Sequence, residues 1–540
     1  MTRRPGLRRR DLLAGGAGAA ALGALGLKAR AASPPSAASP SPPVTVAPGG
    51  PALPPVAPVL PPVAVDVHCH TFCSADLPLV GFIAHFIPGL SELSRLVSRW
   101  PELAVRAFVG AVATLPNAVA PTGEAELAML GAALAHPGTT IAPVPELPPA
   151  VLEMLLGQLV KHLPFSVGAD KQRIIARYLG ALYIVAHARG SIAASIARIF
   201  PSIALFTPAL VDYDAWSDDH APTPLWQQVL LQSMIARLGT QGRIGRPDAR
   251  FHPFVAFDPR RQIEGPQAAV PTPGAPVPPP ALPSAASSAL ELVRYAIEAG
   301  GFLGVKLYPP VGFAPSDNVH LRRDLSFAAG LDDALDALYS YCEAAEAPIT
   351  THASAANEYG LGLHRIVSPA HWRPVLERHP TLRLNFGHFG HDYGIADSSA
   401  PKENADAWIY QAAALIERHP NVYADLSNSP LVYDAAYGQR LRALLGDVIA
   451  RYPKVKRRLM YGSDWWLSGL DPDAAAAVGQ FHATLGGLFG ADGLADLMGR
   501  NALRFLGLLD DDSRPRAGAA GARLRAFYGT APLPAWLPPG

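Results

Sequence analysis

Val63-Ala64-Val65-Asp66-Val67-His68-Cys69-His70 is an apolar run that ends in two histidines one residue apart. Side chains alternate across a strand, so positions 68 and 70 face the same way, close enough for one ion to take both imidazoles. The pair alone would also suit a strand end carrying two solvated histidines. What favours a site is how the later apolar runs end: in Lys306, His352, His388 and Asp464.

Working outward, strand-like runs at 63–67, 204–211, 251–257, 301–308, 348–352, 382–386, 422–426 and 458–461 alternate with helical patterns. The helices fall at 224–238, 286–299, 331–345, 369–378, 405–418, 435–451 and 471–488. Eight strands, most followed by a helix, argue for an α/β protein with a parallel sheet closed into a TIM-like (β/α)8 barrel over residues 63–508. Residues 90–200 break that rhythm, with helix after helix at 91–107, 123–135, 149–162, 170–189 and 191–200. Apolar residues recur there at three and four, as in Ile174, Ile175, Tyr178, Leu179, Leu182 and Val185. The stretch 77–200 is therefore a large helical insertion after the first strand. Loops on that side of a barrel build the site, so the insertion is expected to act as a lid. Residues 266–283 are a Pro-rich loop. The tail 509–540 opens with Asp510-Asp511-Asp512, turns rich in Ala, Gly and Pro, and is expected to drape over the surface.

The N-terminus reads as an address label. Arg8-Arg9-Arg10-Asp11-Leu12-Leu13 runs into an Ala/Gly-rich apolar segment that closes with Ala29-Arg30-Ala31, a small-x-small cleavage signal. Residues 1–31 resemble a bacterial twin-arginine signal peptide, which implies export to the periplasm or beyond. The segment is too short and Gly-rich for a membrane span, and no uncharged apolar run of spanning length follows. An uncleaved N-terminal anchor is the competing reading. Residues 32–62 are a Pro/Ala/Ser linker. Removing residues 1–31, which hold seven Lys/Arg and one Asp, moves the formal net charge from +1 to −5. That balance leaves no basic stripe for nucleic acid. Cys69, Cys73 and Cys342 are too few and too uneven for a disulfide framework, and Cys69 reads as a small buried filler. A small-molecule substrate is the expected partner; a homodimer stays open.

In a (β/α)8 barrel the C-terminal strand ends share one pole, and active sites lie there. His68 and His70 end strand one, Lys306 strand four, His352 strand five and His388 strand six, while Asp464 follows strand eight. His and Asp suit zinc and similar divalent ions, and no thiolate set competes. Arg260, in Asp258-Pro259-Arg260-Arg261 after strand three, could clamp a substrate anion or close a loop salt bridge. Trp465, beside Trp466, could wall the pocket or pack the core. His391 is a weaker substitute for His388. His85, His187, His252 and His379 read as packing or surface residues.

The order H-x-H, Lys, His, His, Asp on strands one, four, five, six and eight resembles the amidohydrolase superfamily. The nearest branch is the amidohydrolase-related one that includes aminocarboxymuconate-semialdehyde decarboxylase. Gly499-Arg500-Asn501-Ala502-Leu503-Arg504-Phe505-Leu506 is similar to the family's last helix. The resemblance implies that His68, His70, His352 and Asp464 hold one divalent ion, zinc by preference. Asp464 would then shuttle a proton, and His388 would orient water or polarise the substrate. Lys-Leu-Tyr-Pro at 306–309 is similar to a dihydroorotase stretch in which a carboxylated lysine bridges two ions. A carboxylated Lys306 with a second metal therefore stands beside a lysine that pairs with a substrate carboxylate or a buried Asp. The implied activity is metal-dependent hydrolysis of a C–N or C–O bond in a small carbonyl substrate. Non-oxidative decarboxylation of an aromatic or unsaturated acid is the alternative, and a metal-binding protein without turnover is a third reading.

Overall fold

The computed structural model describes residues 63–78, 120–148, 183–266, 280–354, 363–390, 402–429, 435–465 and 474–537, with a few single positions between them. The leader, the linker, much of 77–200, most of the Pro-rich loop, His85, His391 and Trp466 lie outside the described residues. Among the described residues, no helix is long and apolar enough to cross a membrane.

Eight parallel strands form the centre: β1 Ala64–Cys69, β2 Ile203–Pro208, β3 in two pieces, Arg250–Phe251 and Phe254–Ala256, β4 Gly304–Leu307, β5 Ile349–His352, β6 Leu384–Gly387, β7 Val422–Asp425 and β8 Leu459–Met460. Each pairs with the next: Asp66 is in register with Phe206, Phe206 with Phe251, Ala256 with Lys306, Lys306 with Thr350, His352 with Gly387, Phe386 with Ala424 and Asp425 with Met460. A bridge between Ala209 and Phe254 carries β2 across to the second piece of β3. The ring closes where Val67 N donates to Tyr461 O at 3.2 Å and Asp464 N to His68 O at 2.7 Å. A closed barrel has no edge strand to protect, and its strand ends gather at one pole.

The crossover helices are α2 Arg189–Ile199, α3 Leu225–Thr240, α4 Ala289–Glu298, α5 Ala328–Ala344, α6 Arg373–Arg378, α7 Lys402–Arg418, α8 Ala435–Arg451 and α9 Ala477–Ala495; α1 Gly123–Ala135 precedes them. Local chemistry sets their starts. Ser288 and Glu291 exchange hydrogen bonds in a capping box at α4, and Thr122 accepts from Ala125 N at α1. Helix α4 then buries Leu292, Val293, Ala296 and Ile297, an i, i+1, i+4, i+5 stripe.

The described helices of the insertion lie along the barrel flank. Helix α1 runs beside α3: Glu124 meets Gln227 near one end, and the Ala133 and His136 carbonyls meet the Arg243 guanidinium near the other. Helix α2 leads straight into β2 and is the crossover between the first two strands. A buried ion cluster ties this region to the rim after β1. Arg189 Nε lies 3.0 and 2.8 Å from the Asp76 oxygens, its other arm meets Glu126, and Thr223 accepts from Nη2 at 3.0 Å. Removing one member of such a buried set leaves an unpaired charge, which costs about 3–5 kcal/mol. The lid expected of 77–200 falls largely on residues outside those described.

The tail corrects an expectation. The barrel ends with α10 Asn501–Phe505; the tail after it, instead of draping over the surface, forms α11 Ala519–Tyr528 and packs into the core. Leu524, Phe527, Tyr528, Trp536 and Leu537 are buried, most of them in one apolar cluster with Val65, Leu205, Phe254, Tyr423 and Phe505. The Ala/Gly/Arg composition concealed a helical stripe at 520, 524, 527 and 528. Gly301 has a positive φ of 77°, and a Cβ there would stand 2.4 Å from the Phe527 ring. Only glycine permits both the turn and that close approach.

Candidate metal centre

Strand alternation turns Asp66, His68, Lys306, Thr350, His352, Asn385 and Asp425 toward one another inside the barrel, and all are buried. His68, His70 and Asp464 each offer a donor atom, and the three atoms lie within 4.8 Å of one another. His70 Nδ1 donates to Ala209 O at 2.9 Å, which leaves Nε2 bare, 3.2 Å from Asp464 Oδ1. His68 Nδ1 lies 3.1 Å from Asp425 Oδ2, so its Nε2 is the outward nitrogen, with Lys306 Nζ 3.1 Å away. Room for this ring comes from two glycines: a Cβ at Gly387 would stand 2.9 Å from His68 Cε1, and one at Gly462 2.8 Å from His68 Cβ.

The His388 ring centroid lies 4.6 Å from that of His68, tilted, and 4.6 Å from that of His352, edge-on. His352 falls outside the three-donor group; its Nδ1 lies 3.2 Å from His388 Nε2, its Nε2 3.1 Å from Ser354 Oγ, and Tyr308 covers its face. Trp465 is buried beside Asp464, and its indole Nε1 has no hydrogen-bond partner among the described residues. Arg260 is turned away. It pairs with Glu264 at 2.9 Å and lies over the Trp216 and Phe327 rings. Its neighbour Arg261 pairs with Asp212 and Asp214. Cys69, Cys73 and Cys342 are buried free thiols, and His252 is a core residue bonded to Gly301 O and the Tyr528 hydroxyl.

Burial, opposed by too few carboxylates, keeps the His68, His352 and His388 imidazoles neutral. His68 is lowered by burial and then by the Lys306 charge, His352 well lowered by burial and then by His388, and His388 pushed down to about 3 by burial and then by His68. Lys306 falls to about 8 because burial outweighs the pull of Asp425 and Asp464. Burial acts against the Asp464 carboxylate, but the adjoining His70 imidazole and the surrounding His388 and His68 rings hold it below the ordinary range. Neutral imidazoles beside an ionised carboxylate are the forms that ligate a divalent ion.

Asp425 is the residue the sequence reading missed. Its carboxylate accepts from His68 Nδ1, Asn385 Nδ2, His388 N, Ser427 N and Ser427 Oγ, and burial is overcome so that it stays well below the ordinary carboxylate range. With both oxygens so occupied, it orients the rings and is not itself placed to ligate. Asp66 braces the backbone next to His68 and Asp464. It accepts from Ser463 N at 3.0 Å, Ser463 Oγ at 2.6 Å and His68 N at 3.2 Å. His388, Phe389 and Asp464 all have positive φ, at 65°, 50° and 50°. These are costly conformations for side chains with a Cβ, and they persist here because buried hydrogen bonds fix them.

Residues 248–508 match the amidohydrolase family model. That span takes in β3 to β8, with Lys306, His352, His388, Asp425 and Asp464, and leaves out His68 and His70. No curated protein matches the sequence. An amidohydrolase from Burkholderia multivorans with bound zinc shares 16% identity over 38% of this chain, at a TM-score of 0.28; the match spans 64% of that chain, just under two thirds of its length. A putative 2-pyrone-4,6-dicarboxylic acid hydrolase from Pseudomonas putida shares 15% over 68% of this chain and 96% of its own, at 0.30. A 4-oxalomesaconate hydratase from Rhodopseudomonas palustris shares 13% over 68% and 94%, at 0.34.

Proposed function

We propose that the chain is a metal-dependent hydrolase that cleaves a C–N or C–O bond in a small carbonyl substrate at the pole ringed by His68, His70 and Asp464. The observation that carries this reading is the three-donor group with its oriented rings. His70 Nε2 is bared by the Ala209 carbonyl, and His68 Nε2 is bared by Asp425. The group accepts positive charge, since the Lys306 amine rests on the very lone pair that ligation would use. Two imidazoles and a carboxylate suit zinc, and His352, whose Nε2 meets the Ser354 hydroxyl, is the proposed fourth donor.

A divalent ion bound there supplies Lewis acidity and a water acidified toward neutral pH. The protein's own residues do the rest. Asp464, ionised and next to His70, takes the proton and returns it to the leaving group. Neutral His388 orients the water or the substrate, and the buried setting strengthens each of these contacts. One ion meets these requirements; a second, bridged by carboxylated Lys306, is the competing arrangement. Decarboxylation uses the same ligands without water attack. Purified, zinc-loaded protein offered amides, lactones and aromatic acids separates the two by its products: hydrolysis supports the proposal, whereas released CO₂ from an acid replaces it with a lyase. Turnover of none of them by fully loaded protein overturns both. Export through the leader at 1–31 is proposed alongside.

A further inference from the structure

Ser427 sits two residues past the end of β7, fully buried, with its hydroxyl among three polar side chains. Its Oγ lies 2.5 Å from Asp425 Oδ1, 2.9 Å from His388 Nδ1 and 3.0 Å from His68 Nδ1. A hydroxyl has one hydrogen to give and two lone pairs to receive with. The ionised Asp425 carboxylate can only accept, so the shortest of the three contacts takes that hydrogen. Toward both imidazoles the Ser427 oxygen is then an acceptor, and each facing Nδ1 must carry its own hydrogen.

A neutral imidazole has a single N–H. His388 with hydrogen on Nδ1 has a bare Nε2, and that atom lies 3.2 Å from His352 Nδ1. The contact is a hydrogen bond only if His352 donates, which places the second ring's hydrogen on Nδ1 too. His352 Nε2 is then bare, and receives the Ser354 hydroxyl at 3.1 Å. The alternative direction sets lone pair against lone pair at Ser427. In a dry interior an unmade bond of this kind costs about 1–3 kcal/mol.

We infer that Ser427 is a positioning residue that fixes the direction of a hydrogen-bond chain, from Asp425 through His388 to His352, so that both rings are held as the Nδ1–H form. The inference rests on the proposed site and deepens it in two ways. His388, with its Nδ1–H on Ser427 and its Nε2 lone pair on His352, acts by holding the His352 ring; it does not donate to an oxyanion. His352 presents a bare Nε2, the form a divalent ion takes. Nitrogen spectroscopy reads the ring hydrogens directly.

The test is long-range ¹H–¹⁵N spectroscopy of the full chain labelled at histidine nitrogen, with His388 and His352 assigned by single His→Gln variants. Wild-type protein should show both rings as Nδ1–H. Ser427→Ala should move His388 to a mixture or to Nε2–H and lower kcat with little change in KM, whereas Ser427→Thr, which keeps the hydroxyl, should restore both. A wild-type His388 seen as Nε2–H overturns the inference, as does an unchanged ring state in a folded Ser427→Ala variant. The wild-type spectrum decides even if that variant fails to fold. If the ring states are as inferred but no substrate is hydrolysed, the proposed activity fails and the chain stands.

Discussion

His68 Nδ1 lies 3.1 Å from Asp425 Oδ2, although β1 and β7 are not neighbours and β8 runs between them. The contact crosses the barrel interior and turns the His68 ring so that Nε2 faces the pole. A ligating histidine held by a carboxylate at its other nitrogen is both oriented and made a stronger donor. Asp425→Asn should therefore weaken zinc retention by about 10–100-fold, the scale for losing such a partner. Competition against a chelator measures it; equal retention by both proteins would remove Asp425 from the site.

The tail should matter for stability. Phe527 is buried beneath Gly301 and the Arg237 guanidinium lies 3.7 Å from its ring centroid. Phe527→Ala should cost about 3–5 kcal/mol, the range for large core aromatics. Urea unfolding of both proteins checks this. A change within about 0.5 kcal/mol, the size typical of surface sites, would show the tail to be loosely held.

How much of this was legible follows from where the signals lay. Apolar runs of four to eight residues gave all eight strands, because a parallel sheet buried on both faces needs them. His68, His70, Lys306, His352, His388 and Asp464 stood out as polar residues closing those runs. Asp425 closes one as well, in Val422-Tyr423-Ala424-Asp425, but an Asp there carries no signal that separates it from any other strand-end Asp. Its burial was the missing fact: a buried carboxylate must be met by donors, and here five converge. The part played by Gly387 and Gly462 leaves no local trace, because the ring they approach, His68, is far off in sequence. The tail was misread by composition, because Trp536 and Leu537 declare themselves only against Phe254 and Tyr423.

Stability should fall on mild acidification through His252. Burial holds this imidazole down to about 4, with Arg250 and Arg237 adding to the effect against the Gly301 carbonyl bond. The unfolded chain, titrating near 6.5, takes the proton first, so it binds more protons between those values and stability rises with pH there. The full contribution is present above about 6.5 and is lost as pH falls toward 4, up to about 3 kcal/mol at 1.36 kcal/mol per unit. His252→Asn should flatten that segment of the urea-midpoint profile between pH 7.5 and 4.5. A variant with the wild-type slope would assign the pH dependence elsewhere.

Export is tested at the leader. Replacing Arg9 and Arg10 with Lys should leave uncleaved protein inside the cell, because the twin-arginine pair is what the proposed route reads. N-terminal sequencing of the cell-free and cellular fractions checks it. A mature N-terminus still found outside would point to another route.

The remaining prediction separates ligand from catalyst. His388 touches His68, His352 and Ser427 but is not in the three-donor group of His68, His70 and Asp464. His388→Ala should therefore keep most of the metal while activity falls by roughly two to four orders of magnitude, the scale for a lost acid–base or electrostatic group. Asp464→Ala should lose activity and also hold metal less well, since it removes a donor together with the proton shuttle. His68→Ala or His70→Ala should empty the site, because an ion left with so few protein donors is poorly held. Elemental analysis of each variant, purified without chelator and again after zinc loading, gives the order directly. Wild-type protein should carry about one ion per chain, since the second possible group, His68, His388 and Asp425, shares His68 with the first and has its Asp425 oxygens taken by hydrogen bonds. Equal loss of metal from the His388 and His68 variants would make His388 a ligand. Two ions would then share the pole, and Lys306, already drawn to about 8 by its burial, would be the side chain placed to bridge them.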